Sequence, residues 1–317
     1  MSTALIAALG AGFVAAVMNL TVLSASPGGL ILVYLSPLPL FGVGLALGLA
    51  AALVASVASV LVIAVVAQGV VLPLTFAALS VMPVLVLVRQ ALLSRRDNSG
   101  SIQWYPPGLL LVVLAGLGMT AILFAVLALG SGDDLKDAIR AMLAGSLAEV
   151  FSSNGISEAN SPSNATVEVL SQVFPGALAV SWLMMVFVNG LLAQSLLERF
   201  NRLSRPPLAM VEVELPAWAP LILSLTLLGA VFLEGGAGFL MVNLAIVEAV
   251  PFMFAGLAVV HVLAAKRASG VMVLVGFYLV LLLLAWPVLV VIGLGLIEQW
   301  AGLRRRFAAS SPGRGEA

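Results

Sequence analysis

The chain has 317 residues, of which 62% are hydrophobic and 9% charged, with a mean hydropathy of +1.20. A soluble domain carries about 25% charged residues, so this much apolar surface needs lipid as its solvent. Fourteen basic residues against fourteen acidic ones leave no excess for a nucleic-acid partner, the absence of cysteine excludes disulfides and thiolate metal sites, and a single histidine excludes multi-histidine ones.

A helix needs about 20 apolar residues to cross the hydrocarbon core, and backbone groups in lipid must be paired within the segment. The first such run extends from Ala4 to about Leu23. No Lys or Arg precedes it, so it reads as a retained membrane helix and not as a secretory signal. The second, Leu30 to about Leu45, is interrupted by Pro37 and Pro39, which remove two backbone donors. The third covers about Gly48 to Ala67, and the fourth Val71 to Leu93, with Pro73 and Pro83 inside it. A polar loop, Ser94 to Tyr105, leads into the fifth, Gly108 to Leu129.

Ser131 to Gln172 is the long polar stretch. Within it Leu135, Ile139, Met142, Leu143, Leu147, Val150 and Phe151 fall on one face of a helix over Asp133 to Phe151. Ser131 and Asp134 have capping-box spacing. Ser152 to Ser163 reads as loop, and Ala165 to Phe174 as a second short amphipathic piece. Such helices lie on the membrane surface or cap the bundle. A structural cap and a lid over a cavity both remain open.

The sixth run is Phe174 to Leu197, followed by a polar loop, Glu198 to Leu215. The seventh is Ala217 to Leu233. The eighth, Gly238 to Ala265, carries Pro251, and the ninth, Val271 to about Leu296, carries Pro287 as a possible re-entrant break. The expectation is an all-α fold, a polytopic membrane bundle of eight or nine transmembrane helices. One transmembrane domain spans residues 1–303 with an amphipathic insertion at 131–172, and residues 304–317 form a basic, disordered tail.

Short cytoplasmic loops are enriched in Lys and Arg. Arg95 and Arg96, then Arg199, Arg202 and Arg205, then Lys266 and Arg267 occupy alternate loops. The stretch 131–172 holds six acidic residues and two basic ones, a net charge of −4, and falls on the opposite side. This places the N-terminus in the cytoplasm. Nine crossings then put Arg304, Arg305 and Arg306 outside, against the rule, so the conflict lies after Lys266. Only two of the fourteen basic residues are lysines, a bias of GC-rich coding that points to a bacterial cytoplasmic (inner) membrane.

Ionisable and amide side chains at membrane depth are expensive and mark candidate sites. Glu248, three residues before Pro251, is the foremost. Asn243 and His261 share a face of the same helix, and Asn189 and Gln194 lie on the sixth. Interhelical hydrogen bonding is the alternative for the amides. With Pro37 and Pro39 these residues make a candidate cavity lining: Pro37, Pro39, Asn189, Asn243 and Glu248. Ala4, Ala8, Gly12 and Ala16 recur at four-residue spacing, which suits close packing within the bundle or docking of a partner subunit. Gly44, Gly48, Ala52 and Ser56 repeat the pattern. No Walker A, HExxH or GxSxG motif occurs, so neither an enzyme nor a bound cofactor is expected, and any ATP-driven role needs partner subunits.

Several stretches recur together: Leu35-Ser-Pro-Leu-Pro-Leu40, Trp104-Tyr-Pro-Pro107, Phe174-Pro-Gly176, Asn189 through Ala193-Gln194, Arg205-Pro206, Asn243, Gly256 through His261, and Gly295 through Trp300. In this order they resemble the YybS-like family of predicted bacterial membrane proteins, a domain of unknown function, over nearly the whole chain. That family is similar, distantly, to the substrate-binding S subunits of energy-coupling-factor transporters. There, small residues on the first helix dock a coupling subunit. The resemblance implies a small-molecule-binding, transport-related protein, with a coupling-factor-like module or a second copy as partner beside the lipid bilayer. A departure is the length, since an S subunit has about six helices. The other reading is a membrane scaffold that assembles other membrane proteins, suggested by the small-residue faces and the Trp300-to-Arg306 tail.

Overall fold

In the computed structural model the described residues are 2–24, 26–98, 100–153, 164–208, 213–267, 269–284 and 286–309. They are mostly helical, with one short hairpin and connecting loops. Among them seven helical stretches are long and apolar enough to cross a membrane, and three shorter apolar helices, Ala219–Phe232, Gly270–Leu283 and Pro287–Ala301, accompany them. The chain forms two compact units. The first is Met1–Leu114 with Trp182–Ala209, and the second is Ala115–Ser181 with Met210–Ala317.

The first unit opens with α1 (Thr3–Leu20), whose N-terminus is capped by the Ser2 hydroxyl accepting from the Leu5 N–H at 3.3 Å. A 3-10 turn follows, and then α2 (Pro27–Leu35). The helix breaks at Ser36 and Pro37 and resumes as α3 (Leu38–Leu47). Pro37 has no N–H for the Val33 carbonyl, and Ser36 supplies both its N–H and its hydroxyl to that oxygen, at 3.1 and 2.7 Å. The turn into α4 (Leu49–Ala67) is a single residue, Gly48, at φ +93°, a conformation that disfavours any Cβ.

α5 (Val71–Phe76), a π-helical turn over Ala77–Val81 and α6 (Met82–Ala91) form one rod. Pro83 cannot donate to the Leu79 carbonyl, and the Trp182 indole N–H donates to that oxygen instead, at 2.8 Å. Strands β1 (Ser94–Arg96) and β2 (Ile102–Trp104) pair antiparallel where the sequence suggested only loop. α7 (Pro107–Leu129) and α9 (Asn164–Arg199) are continuous helices, each contributing part of its length to either unit. The separate amphipathic piece expected at Ala165 to Phe174 is the start of α9, and Pro175 lies inside that helix without ending it.

The second unit is built on α11 (Gly235–Ala265), 31 residues or about 46 Å long. That exceeds the roughly 30 Å of hydrocarbon. α8 (Gly132–Ser153) begins against the first turn of α11, where Gly132 and Gly236 meet backbone to backbone. Ser131 and Asp134 form the expected capping pair, with the Asp134 N–H donating to the Ser131 hydroxyl at 3.1 Å. The loop read at residues 152–163 is helical through Ser153, and 154–163 lie outside the described residues. α10 (Ala219–Phe232) packs along α11.

The ninth run is two helices, α12 (Gly270–Leu283) and α13 (Pro287–Ala301), each about 21–23 Å long and too short to cross alone. The expected disordered tail is instead helical up to Ala309 in α14 (Leu303–Ala309), while residues 310–317 lie outside the described residues. What fixes α14 is Glu298: its carboxylate accepts from Arg304 Nε at 2.8 Å, and both side chains are largely buried.

Candidate functional site

Of the five candidate cavity residues, Pro37, Pro39 and Asn189 fall in the first unit, and Asn243 and Glu248 in the second. Asn189 sits at the α2–α3 break. Its Nδ2 donates to the Tyr34 carbonyl, across 155 residues of sequence, and to Met185 within α9, both at 2.8 Å. Its Oδ1 is buried with no partner among the described residues. Gln194, one turn further along α9, holds the loop behind it: Oε1 accepts from the Leu208 N–H at 2.9 Å, and Nε2 donates to the Leu208 carbonyl at 3.3 Å.

That loop closes other helix ends of the first unit. Ser204 donates its hydroxyl to Ala46 at 2.9 Å and its N–H to Leu45 at 3.3 Å, both near the end of α3. Arg205 is buried, donates to the Ala91 carbonyl at the end of α6 at 2.7 Å, and lies 5.6 Å from the Trp104 ring centroid. Burial lowers the guanidinium pKa from its ordinary value. The sequence grouped Arg205 with Arg199 and Arg202 as loop charge, and nothing in its spacing marked it as a helix cap.

In the second unit Asn243 ties α11 to α9. Its Oδ1 accepts from the Gly176 N–H at 2.7 Å, and its Nδ2 donates to Gln172 at 3.0 Å and to Phe239 at 2.7 Å. All its polar atoms are used, which makes it an interhelical tie. His261 shares its Nδ1 with the Leu257 carbonyl at 2.9 Å and meets Tyr278 of α12 edge-on.

Glu248 differs from all of these. It is 3% exposed, and no hydrogen bond or ion pair to it forms among the described residues. It lies on the α11 stripe between Met241, which meets Gly229 of α10, and Phe252, which meets Gly295 of α13. Pro251 cannot donate to the Val247 carbonyl, so one rung of the helix ladder is missing within a turn of Glu248. A hydrogen-bond donor or a cation is what this carboxyl suits. Among the described residues no group of three or more His, Asp or Glu side chains comes together as a metal site would need.

The small-residue face of α1 packs into the first unit, with Gly12 against α4. Ala8 and Ala16 are buried, and a Cβ on Gly12 would run into the Ala55 carbonyl. Of the four residues only Ala4 is exposed.

Seven long apolar helices, buried amides that tie helices together and proline breaks satisfied by neighbouring side chains define a polytopic α-helical membrane protein. The chain belongs to the DUF2232 family of predicted membrane proteins, whose model matches residues 13–298. This fits the resemblance to the YybS-like family of predicted membrane proteins read from the sequence motifs. No curated protein and no solved structure matches the chain.

Proposed function

We propose that this protein binds a small cationic or hydrogen-bond-donating molecule within the membrane at Glu248, and that this binding serves transport. The observation that carries the reading is Glu248 itself. A carboxylate withdrawn from water costs several kcal/mol unless something compensates it. The other buried carboxylate described, Glu298, has Arg304. Among the described residues Glu248 has no such partner, and a bound ligand would supply one. The distant likeness of the family to S subunits supports a binding role over a catalytic one. A coupling subunit docks away from Ala8, Gly12 and Ala16, because all three are buried within the first unit and Gly12 lies against α4. The membrane is the bacterial inner membrane with the N-terminus cytoplasmic. The support for this is the alternation of basic loops and the acidic α8 on the opposite side.

The test is native mass spectrometry of the full chain extracted in mild detergent, alongside Glu248→Gln. The wild type is expected to carry a non-lipid adduct of small mass, and Glu248→Gln to lose it at least tenfold while keeping its helical content. A wild-type chain free of any such adduct, or an adduct unchanged in the variant, overturns the reading.

A further inference from the structure

A second place in the molecule is shaped for a ligand, in the first unit, and it is independent of Glu248. Between α4 and the α5–α6 rod lies a notch of about 220 Å³. Leu53, Val57 and Leu61 of α4 wall one side, Val81 and Leu85 the other, and Ser56 lies at its floor. The α4 wall residues are half exposed, so the notch opens outward from the unit. Leu53 to Leu61 spans about 12 Å along the helix, a length that takes the upper half of an extended acyl chain lying parallel to the helices. The π-helical turn forms the far end through Val81.

The notch has a charged end. Arg89 is on α6 four residues after Leu85, one turn further along the same face. It is exposed and forms no ion pair among the described residues. Gly44 of α3 meets both Val88 and Ala52, which sets the α6 end carrying Arg89 level with the start of α4. One cation at the helix end and an apolar channel running inward from it match the two parts of a phospholipid: an anionic headgroup and a hydrocarbon tail. A partner helix would fill the channel and leave the arginine with no counter-charge.

We propose that this notch holds one anionic phospholipid, its phosphate on Arg89 and an acyl chain between α4 and the α5–α6 rod. The lipid comes from the leaflet on the side of the Ser94–Trp104 hairpin, where Arg95 and Arg96 add to the positive field. The full chain is delipidated in detergent and titrated with phosphatidylglycerol or with phosphatidylcholine, and bound lipid is counted by native mass spectrometry. Wild type is expected to take up one phosphatidylglycerol at least fivefold more readily than phosphatidylcholine. Arg89→Gln is expected to abolish that preference, and Val57→Trp, which fills the channel, to reduce uptake of both lipids several-fold. Leu127→Trp, on the exposed surface of α7, serves as control and should change neither. If Val57→Trp does not fold, the headgroup preference of Arg89→Gln alone decides. A preference that survives Arg89→Gln, no preference in the wild type, or a second protein chain crosslinked into the notch in place of lipid overturns the proposal.

Discussion

Asn243 uses one side chain to satisfy backbone groups on two helices, at Gly176, Gln172 and Phe239. In lipid an interhelical hydrogen bond returns about 0.6 kcal/mol on average and up to about 1.7, and removing the amide also strands the Gly176 N–H and the Gln172 carbonyl. Asn243→Ala should therefore lose about 1–3 kcal/mol, read as a lower midpoint of thermal unfolding in detergent. An unchanged midpoint would remove Asn243 from the ties that hold α9 to α11. The residue was visible in the sequence as an amide at membrane depth, but its partners were not. Gln172 and Gly176 lie about 70 positions away, and a single sequence carries no signal of which helix faces which. Trp182 shows the same limit more sharply. Pro83 announces a freed carbonyl, yet nothing local says that an indole 103 residues later will take it.

At the level of elements, helices in this chain approach through glycine. A Cβ on Gly295 would strike the Phe252 carbonyl, and one on Gly256 the Val291 carbonyl, so α11 and α13 touch backbone to backbone. Gly293, in the same helix, has nothing within 4 Å of where its Cβ would be. Gly295→Leu should destabilise at the upper end of the roughly 1–3 kcal/mol of overpacking, and Gly293→Leu should be close to neutral. Equal effects of the two in the same unfolding assay would mean that this contact does not hold α13. Hydropathy alone located the apolar runs, because lipid demands length and composition and little else. It did not locate helix ends that other parts of the chain complete. α9 runs through Pro175 although proline usually marks a start, and the tail beyond Gly302 is helical because Arg304 reaches back to Glu298. The break before Pro287 was legible, since proline and the conflict of basic loops pointed to the same place.

For the molecule as a whole, the proposed orientation is open to direct measurement, because a chain with no cysteine accepts single reporter cysteines on a silent background. With the N-terminus inside, a membrane-impermeant maleimide should label Ala144→Cys in α8 on intact spheroplasts. It should reach Arg96→Cys and Arg202→Cys only after lysis, and the reverse pattern would invert the topology. The two-unit organisation was hidden from the sequence for a physical reason. Each unit is assembled from segments far apart in the chain, and no change of composition marks where one gives way to the other. That interleaving has a consequence for how the protein is made. The carbonyl of Ala91 and the broken end of α2 wait for Arg205 and Asn189, which leave the ribosome more than a hundred residues later. At bacterial elongation rates the gap between Ala91 and Arg205 is about 6–23 s, during which the first six helices sit in the bilayer with open backbone acceptors. Nascent chains stalled before residues 182–209 emerge from the ribosome should therefore be the form that an insertase or a membrane protease engages, and chains stalled after that segment has emerged should escape both.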